Sequence, residues 1–529
     1  YVSCFRRVNM GALLYFLTCY TLFVNTNEAA RILAVFPTPS ISHQVVFRPV
    51  MQELAKRGHD VTVITTDPAF PKGGAPANLT EIDVHDISYD IWKEQFMSAS
   101  KGDANDLLHH IKLFLNMFVA IFEAQVKDEN VQRLINDKNQ KFDLIIAEAC
   151  VRPALGFRHV FKAPLVLMSS LGAVYDNFDV IGAPSHPILY PSVIRQRLNN
   201  LTMWEKISEL YDHYRINQLF AENVPGEDKM LRKVFGADMP SVKEFYNDVE
   251  MLFLNENPVF VGSRPVPPTV VYMGGLHQKP LNELPKDLKS YLDSSKNGVI
   301  YISFGTNVDP TKLPADRIQV LVKAVSQLPY DVLWKWNGDE LPGRTDNIKI
   351  SKWLPQSDLL RHPKIKVFVT QGGLQSTDEA ITAGVPLIGV PMLGDQWYNV
   401  EKYESHHIGV RLDINTLTEE KFRSTILKVI ADDSYRQNIV RLRTLMRDQP
   451  ISPLNRTIWS LEHVLRHGGA KHLRSPAANI SWAEYLELDL VLTLLAGLLA
   501  AISLVVLTIY VVYKYVARNY VAVIKFKRS

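Results

Sequence analysis

One stretch limits the possible fold more than any other. Residues 353–399 read WLPQSDLLRHPKIKVFVTQGGLQSTDEAITAGVPLIGVPMLGDQWYN. An apolar run at 366–370 meets Gln371-Gly372-Gly373, a helical pattern opens near Gln375, and a second apolar run follows at 386–391. Strands joined by a helix of this length run parallel, because a tight turn can only join antiparallel ones. Glycines at the join let backbone N–H groups approach an anion, and the helix N-terminus adds its dipole. The pattern therefore predicts a diphosphate seat at Gly373. Glu379, one turn into the helix, is placed to accept hydrogen bonds from a ribose, and Asp395 and Gln396 offer polar contacts to sugar hydroxyls. The competing reading is an ordinary βαβ unit whose glycines only make turns. Trp353, Gln356, Ser376, Glu379, Asp395 and Gln396 falling into one register argue against it.

The same alternation fills most of the chain. Strands are predicted at 32–36, 60–65, 143–147, 164–169, 251–255 and 270–273, then at 299–304, 331–336, 348–350, 367–370 and 387–390. After the first strand a helix should run to about Lys56 and stop at Gly58. A long amphipathic helix is predicted over 105–136, where Leu107, Leu108, Ile111, Leu115, Phe118 and Ile121 recur at helical spacing. Packing on the core is the plainer use of that face, and dipping into a membrane is the alternative. Residues 274–288 are polar and contain prolines, as connections between domains do. The expectation is α/β, with an N-terminal Rossmann-like domain over 30–273, a linker over 274–288 and a second Rossmann-like domain over 289–470. Ligands of such sheets bind beyond the carboxyl ends of the strands, so two facing sheets would enclose a cleft. With 529 residues, 47% of them hydrophobic, the chain can bury two cores. A net charge of +3 gives no reason to expect nucleic acid as a partner.

The two ends read as membrane-targeting segments. Arg6-Arg7, an apolar run at 13–24 and small residues up to Ala30 have the build of a secretory signal peptide over 1–29, with an uncleaved anchor as the alternative. Residues 490–513 carry no charge and are long enough to span a bilayer. Trp482, Tyr485, Tyr510 and Tyr513 flank them as interfacial anchors do, and the basic tail 514–529 belongs in the cytosol by the positive-inside rule. Its ending, Lys525-Phe526-Lys527-Arg528-Ser529, is similar to a two-lysine retrieval signal of endoplasmic-reticulum membrane proteins, although lysines also serve to stop transfer. The body would then be luminal, where Asn78, Asn200, Asn455 and Asn479 begin glycosylation triplets. Ala496, Gly497, Ala500 and Ala501 lie at helical spacing in the span, compatible with a homo- or heterodimer contact. Of the three cysteines, Cys4, Cys19 and Cys150, only the last survives removal of the leader, which leaves no intrachain disulfide. Cys150 fits a small buried residue better than a nucleophile.

Taken with its glycine pair, the stretch 353–399 resembles the signature of the UDP-glycosyltransferases, and the resemblance extends over nearly the whole chain. The wording Gln371-Gly372-Gly373-Leu374-Gln375-Ser376 is similar to the arthropod branch. The resemblance implies the GT-B arrangement: two Rossmann-like domains facing a cleft, acceptor on the first, UDP-sugar on the second, plus one C-terminal transmembrane helix. It implies His43 as the base that takes the acceptor's hydroxyl proton, a task suited to neutral imidazole. The matching partner acid is Glu148, where the family usually has aspartate. On the donor side it assigns Trp353 to stacking on uracil, Gln356 to the uracil edge, Ser376 to phosphate, Glu379 to ribose, and Asp395 and Gln396 to the sugar. Ser303, Gly305 and Thr306, in the turn after a strand, are placed to reach the phosphates from the opposite wall. Gln371 departs from the histidine common beside the diphosphate in vertebrate and plant members, and a neutral amide brings no positive charge.

The function expected on these grounds is inverting transfer of a hexose, glucose rather than glucuronate, from a UDP-sugar co-substrate to a small lipophilic acceptor at the endoplasmic-reticulum membrane. Arg264 is similar to an arginine proposed to meet a glucuronate carboxylate, which keeps UDP-glucuronate open as donor. No metal is called for: His109-His110 and His406-His407 are adjacent pairs that diverge on a helix, and no Asp-x-Asp triplet occurs. The rivals are a membrane-bound UDP-sugar or odorant-binding protein without turnover, and a UDP-sugar epimerase, which the leader and anchor disfavour.

Overall fold

The computed structural model describes residues 29–95, 107–174 and 176–526. The leader, apart from its last residue, and the final three residues of the basic tail lie outside the described residues. Strands β1 (Arg31–Phe36), β2 (Asp60–Thr65), β3 (Leu79–Asp83), β4 (Leu144–Glu148), β5 (Leu165–Ser169), β6 (Val249–Leu254) and β7 (Val270–Tyr272) form a 7-stranded sheet. Its order is β3-β2-β1-β4-β5-β6-β7, and every pairing is parallel. Strands β8 (Val299–Ser303), β9 (Asp331–Lys335), β10 (Ile348–Ser351), β11 (Ile365–Thr370), β12 (Leu387–Gly389) and β13 (Gly409–Arg411) form a 6-stranded parallel sheet in the order β10-β9-β8-β11-β12-β13. Runs such as RILAVF, LIIAE and VIYIS are apolar except at one end because helices cover both faces of a parallel sheet.

The strand orders also locate the ligand sites. In the first sheet the chain leaves β1 toward β2 and later returns on its other side as β4, with Val35 opposite Ala147. In the second sheet the same reversal pairs β8 with β11, Ser303 lying opposite Thr370. Loops diverge at such a reversal and leave a crevice beyond the carboxyl ends of the two strands. His43 follows β1 and Glu148 ends β4; Gly305 and Gly373 follow β8 and β11.

Helix α1 (Ile41–Lys56) follows β1 and ends before Gly58, whose φ of 96° is left-handed. The expected helix over 105–136 is two helices, α2 (Leu107–Val126) and α3 (Glu129–Asn136). The break comes at Asp128, whose carboxylate accepts from the N–H groups of Asn130 and Val131 and so starts a new helix. Met117, Ile121 and Phe122 of α2 are fully buried in the core of the first sheet, which makes α2 a core helix. Helix α4 (Met203–Phe235) and the edge strands β3 and β13 were not anticipated. β13 has only 3 residues, too few to show a pattern, and β3 is half polar.

Helix α5 (Leu374–Ala383) follows β11 and α6 (Gln396–Ser405) follows β12. Helix α7 (Pro453–His467) lies within the span expected for the second domain but covers the first sheet. Ile458, Leu461 and Val464 are fully buried beside Val46, Val50 and Leu54 of α1. An ion pair of 3.1 Å between Arg57 and Glu462 closes the edge of that contact. The amphipathic pattern of α7 marks a buried face without saying which sheet it will meet. Helix α8 (Leu488–Phe526) extends the predicted span 490–513 at both ends and continues into the basic tail. Its stretch Leu488–Val521 is long and apolar enough to cross a membrane. Among the glycosylation triplets, Asn78 donates its amide to the carbonyls of Ala55 and His59.

Candidate active site

The first half of the site grows from the reversal between β1 and β4. Pro37-Thr38-Pro39-Ser40 leads from β1 into α1, which places His43 in the first turn of the helix. Nδ1 of His43 lies 2.7 Å from Oε1 of Glu148, the last residue of β4. Glu148 is fully buried and its Oε2 accepts the backbone N–H of Thr38 at 3.0 Å, so the carboxylate is fixed from both sides. A carboxylate only accepts, so Nδ1 carries the ring hydrogen and Nε2 keeps the lone pair of a base. The Cys150 thiol donates to Glu148 at 3.4 Å. His43, Glu148 and Cys150 lie within 4.8 Å of one another, a spacing compatible with a metal ion. Burial and the neighbouring Glu148 push the Cys150 thiol well above its ordinary value, so without a metal ion it stays a protonated donor.

The second half grows from the reversal between β8 and β11. Gly372 has φ of 90°, and a Cβ there would come within 2.4 Å of Val400 Cγ2, so only glycine fits. Gly373 is the N-cap of α5 and brings no capping side chain, which leaves the N–H groups of the first turn open to an anion. Gln371 is buried beside them, and its Oε1 has no hydrogen-bond partner. Trp353, after β10, exposes 67% of its area, a flat apolar platform with Lys335 Nζ 5.4 Å from its ring centre. Gln356 is less open than expected. Its Oε1 accepts Tyr301 O–H at 2.9 Å, while its Nε2 donates to Ser376 at 2.8 Å and to Glu379 at 2.7 Å. Both amide hydrogens are thus engaged in fixing Ser376 and Glu379, while Oε1 keeps a second lone pair. Burial raises the Glu379 carboxyl and the Gln356 amide opposes that rise. Burial likewise pushes Asp395 up to about 6, against a hydrogen bond of 2.8 Å from Asn399. Gln396 accepts from the N–H of Met392 at 2.9 Å, so its own amide hydrogens remain available.

These residues share one cavity. Ser303, Gly305, Thr306, Trp353, Gln356, Gln371, Gly373, Ser376, Glu379, Asp395 and Gln396 all line a cleft of about 480 Å³, together with His43 from the opposite sheet. That volume suits a nucleotide-sized ligand. Glu148 stands behind His43, outside the lining. Arg264 is elsewhere: it stacks on Phe178 at 4.1 Å and donates to the carbonyl of Pro191 at 3.1 Å. Among the lining residues that went unrecognised in the sequence are His277, Asn307, Lys335 and Gln375. Lys335 carried a legible signal, since it lies one residue before the end of a predicted strand, and it donates to the Gly305 carbonyl at 2.6 Å. The other three act through contacts with distant segments. His277 is buried, which pushes its imidazole down to about 4 and keeps it neutral.

A family model described as UDP-glucuronosyl and UDP-glucosyl transferase matches residues 31–528. The chain belongs to that family. Membership makes this UDP-glycosyltransferase an enzyme that moves a hexose from a UDP-sugar. An ecdysteroid UDP-glucosyltransferase of Spodoptera littoralis nuclear polyhedrosis virus is 36% identical, the match covering 90% of this chain and 96% of that protein. UDP-glucosyltransferase 2 of Dactylopius coccus is 32% identical over 91% of this chain and 93% of that protein. Among solved structures, a UDP-glucose: anthocyanidin 3-O-glucosyltransferase in complex with UDP is similar with a TM-score of 0.56 at 18% identity, covering 83% of this chain and all of that one. The likeness confirms the GT-B fold for the two sheets of this UDP-glycosyltransferase.

Proposed function

We propose that the chain transfers glucose from UDP-glucose to a hydroxyl of a small lipophilic acceptor with inversion at the anomeric carbon. His43 is the general base and Glu148 the carboxylate that orients it. The observation that carries this reading is the 2.7 Å contact between His43 Nδ1 and Glu148 Oε1 at the wall of the cleft that the donor residues line. As the acceptor oxygen attacks, its proton passes to Nε2 of His43, and Glu148 steadies the imidazolium that forms. The bond from the sugar to UDP breaks in the same displacement, so an α-linked donor gives a β-linked product. Trp353 stacks on uracil, and Glu379, held by Gln356, meets the ribose. The diphosphate lies between the first turn of α5, with Gln371, Gly373 and Ser376, and the Ser303–Gly305–Thr306 loop. Asp395 and Gln396 hold the sugar. Charge on the departing UDP is met by backbone amides and the α5 dipole, because Gln371 is neutral.

Two observations favour glucose over glucuronate: the glucosyl names of the relatives above and the absence of Arg264 from the lining of the cleft. Helix α8 with its basic continuation supports a single-pass anchor in the endoplasmic reticulum with the body in the lumen. Microsomes containing the full chain, assayed with each UDP-sugar against phenols and ecdysteroids, test the whole reading. A β-glucoside is the expected product. Equal or greater turnover with UDP-glucuronate would overturn the donor assignment, and an α-linked product the inversion.

A further inference from the structure

The turn that carries His43 is held by the opposite domain. Ser40 occupies the N-cap of α1, where a serine hydroxyl ordinarily bonds to its own helix. Here it makes no such bond. Instead the Ser40 hydroxyl meets Ser42 Oγ at 2.8 Å and the amide of Asn307, whose Nδ2 donates to it at 3.2 Å and whose Oδ1 lies 3.3 Å away. Ser40 is buried, so this contact is sheltered from competing water. On the other side of His43, Gln375 Nε2 donates to the carbonyl of Ser42 at 3.2 Å and to that of Ser170, just past β5, at 3.3 Å. The backbone carbonyl of Gln375 in turn accepts from His277 Nε2 in the interdomain connection, 3.2 Å away.

We propose that Asn307 and Gln375 are positioning residues: from the donor half they clamp the Ser40–His43 turn and so set the base at its distance from the sugar. The proposal rests on the function proposed above. Each residue directly adjoins the donor seat, Asn307 after Thr306 and Gln375 in the first turn of α5. UDP seated between those elements fixes both ends of the clamp at once, which couples occupancy of the donor site to the placement of His43. A hydroxyl left to cap α1 would serve local helix stability alone. Its diversion to Asn307 ties the helix to another domain instead. Small displacements of a base are costly, since a misplacement of about an ångström can cost on the order of a hundredfold in rate.

The test uses the full-length protein in detergent and two readouts. In a double-mutant cycle, Asn307→Ala and Ser40→Ala should each lower kcat about tenfold, leave KM for UDP-glucose within about twofold, and combine to no more than the larger single loss. Ser40→Thr, which keeps the hydroxyl, should restore most of the rate. Losses that add, or that fall on donor KM, overturn the proposal. In the second readout, UDP should slow amide hydrogen exchange of residues 40–47 in the unmodified protein but not in Asn307→Ala or Gln375→Asn, whose shorter amide cannot reach Ser42. Equal slowing in all three overturns the proposal as well. The exchange comparison needs no turnover, so a chain that transfers no sugar would refute the proposed function while the clamp is still judged.

Discussion

Gln371 packs so tightly against Gly305 that a Cβ at position 305 would lie 2.3 Å from the Gln371 Nε2. Gly305 also has φ of 74°, a left-handed conformation that side chains disfavour. The loop after β8 thus carries a residue whose missing side chain is the space that the amide following β11 occupies. Gly305→Ala should displace Gln371 and weaken UDP binding at least tenfold, with little loss of secondary structure. Calorimetric titration with UDP checks this; an unchanged affinity would show that the packing has no part in donor binding.

The role of the amide itself is separable. Gln371→Ala leaves the α5 amides and their dipole in place, so transfer should fall about three- to tenfold. His43→Ala removes the base and should cost about a hundredfold or more. Steady-state kinetics on both variants decides the order. If Gln371→Ala proved the more damaging, the donor and base assignments would have to be exchanged or abandoned.

Glu148→Gln keeps the length of the side chain and the contact to Nδ1 but removes the charge that stabilises the imidazolium. A kcat loss of about a hundredfold is expected, with UDP affinity unaltered. Glu148→Asp keeps the charge but draws it back by a methylene from a contact of 2.7 Å, and should fall between the two. Equal rates for Glu148→Gln and the unmodified protein would remove the carboxylate from the mechanism.

Asp378, in α5, is buried, and burial with some repulsion from Glu379 pushes its carboxyl up to about 8. An unfolded aspartate titrates near 3.9. Between those values the unfolded chain has released the proton that the folded one still holds, so Asp378 erodes stability as pH rises from about 4 to 8 and no further above that. Asp378→Asn should therefore raise the melting temperature at pH 8 clearly more than at pH 5. An equal shift at both would mean that the carboxyl titrates normally.

The residues that the sequence made legible are those whose position follows from their own strand. Glu148 ends β4, Gly305 and Gln371 follow β8 and β11, and Asp395 follows β12, so predicting the strands placed each beside a carboxyl end. Asn307, Gln375 and His277 escaped notice because their partners are remote: Asn307 meets a residue 267 positions away and Gln375 one 333 positions away. Gln356 was found for its place in the register, but its orientation depends on Tyr301, Ser376 and Glu379 arriving together from three elements. Arg264 shows the converse, a motif match whose side chain is drawn off by Phe178 and the Pro191 carbonyl.

The destination of α7 is the part of the fold that only the structure supplies, and it can be tested through stability. Leu461 is fully buried against the core of the first sheet, in a cluster that includes Val46, Val50 and Leu54. Leu461→Ala leaves a cavity there and should destabilise by about 2–5 kcal/mol. Because the cavity adjoins α1, exchange protection should fall first in peptides spanning Ile41–Lys56, the helix that carries His43, and only later in the second sheet. Loss of protection confined to β8 through β13 would mean that α7 belongs energetically to the donor half. A loss centred on α1 would instead show a helix from late in the chain bracing the helix on which the base is mounted.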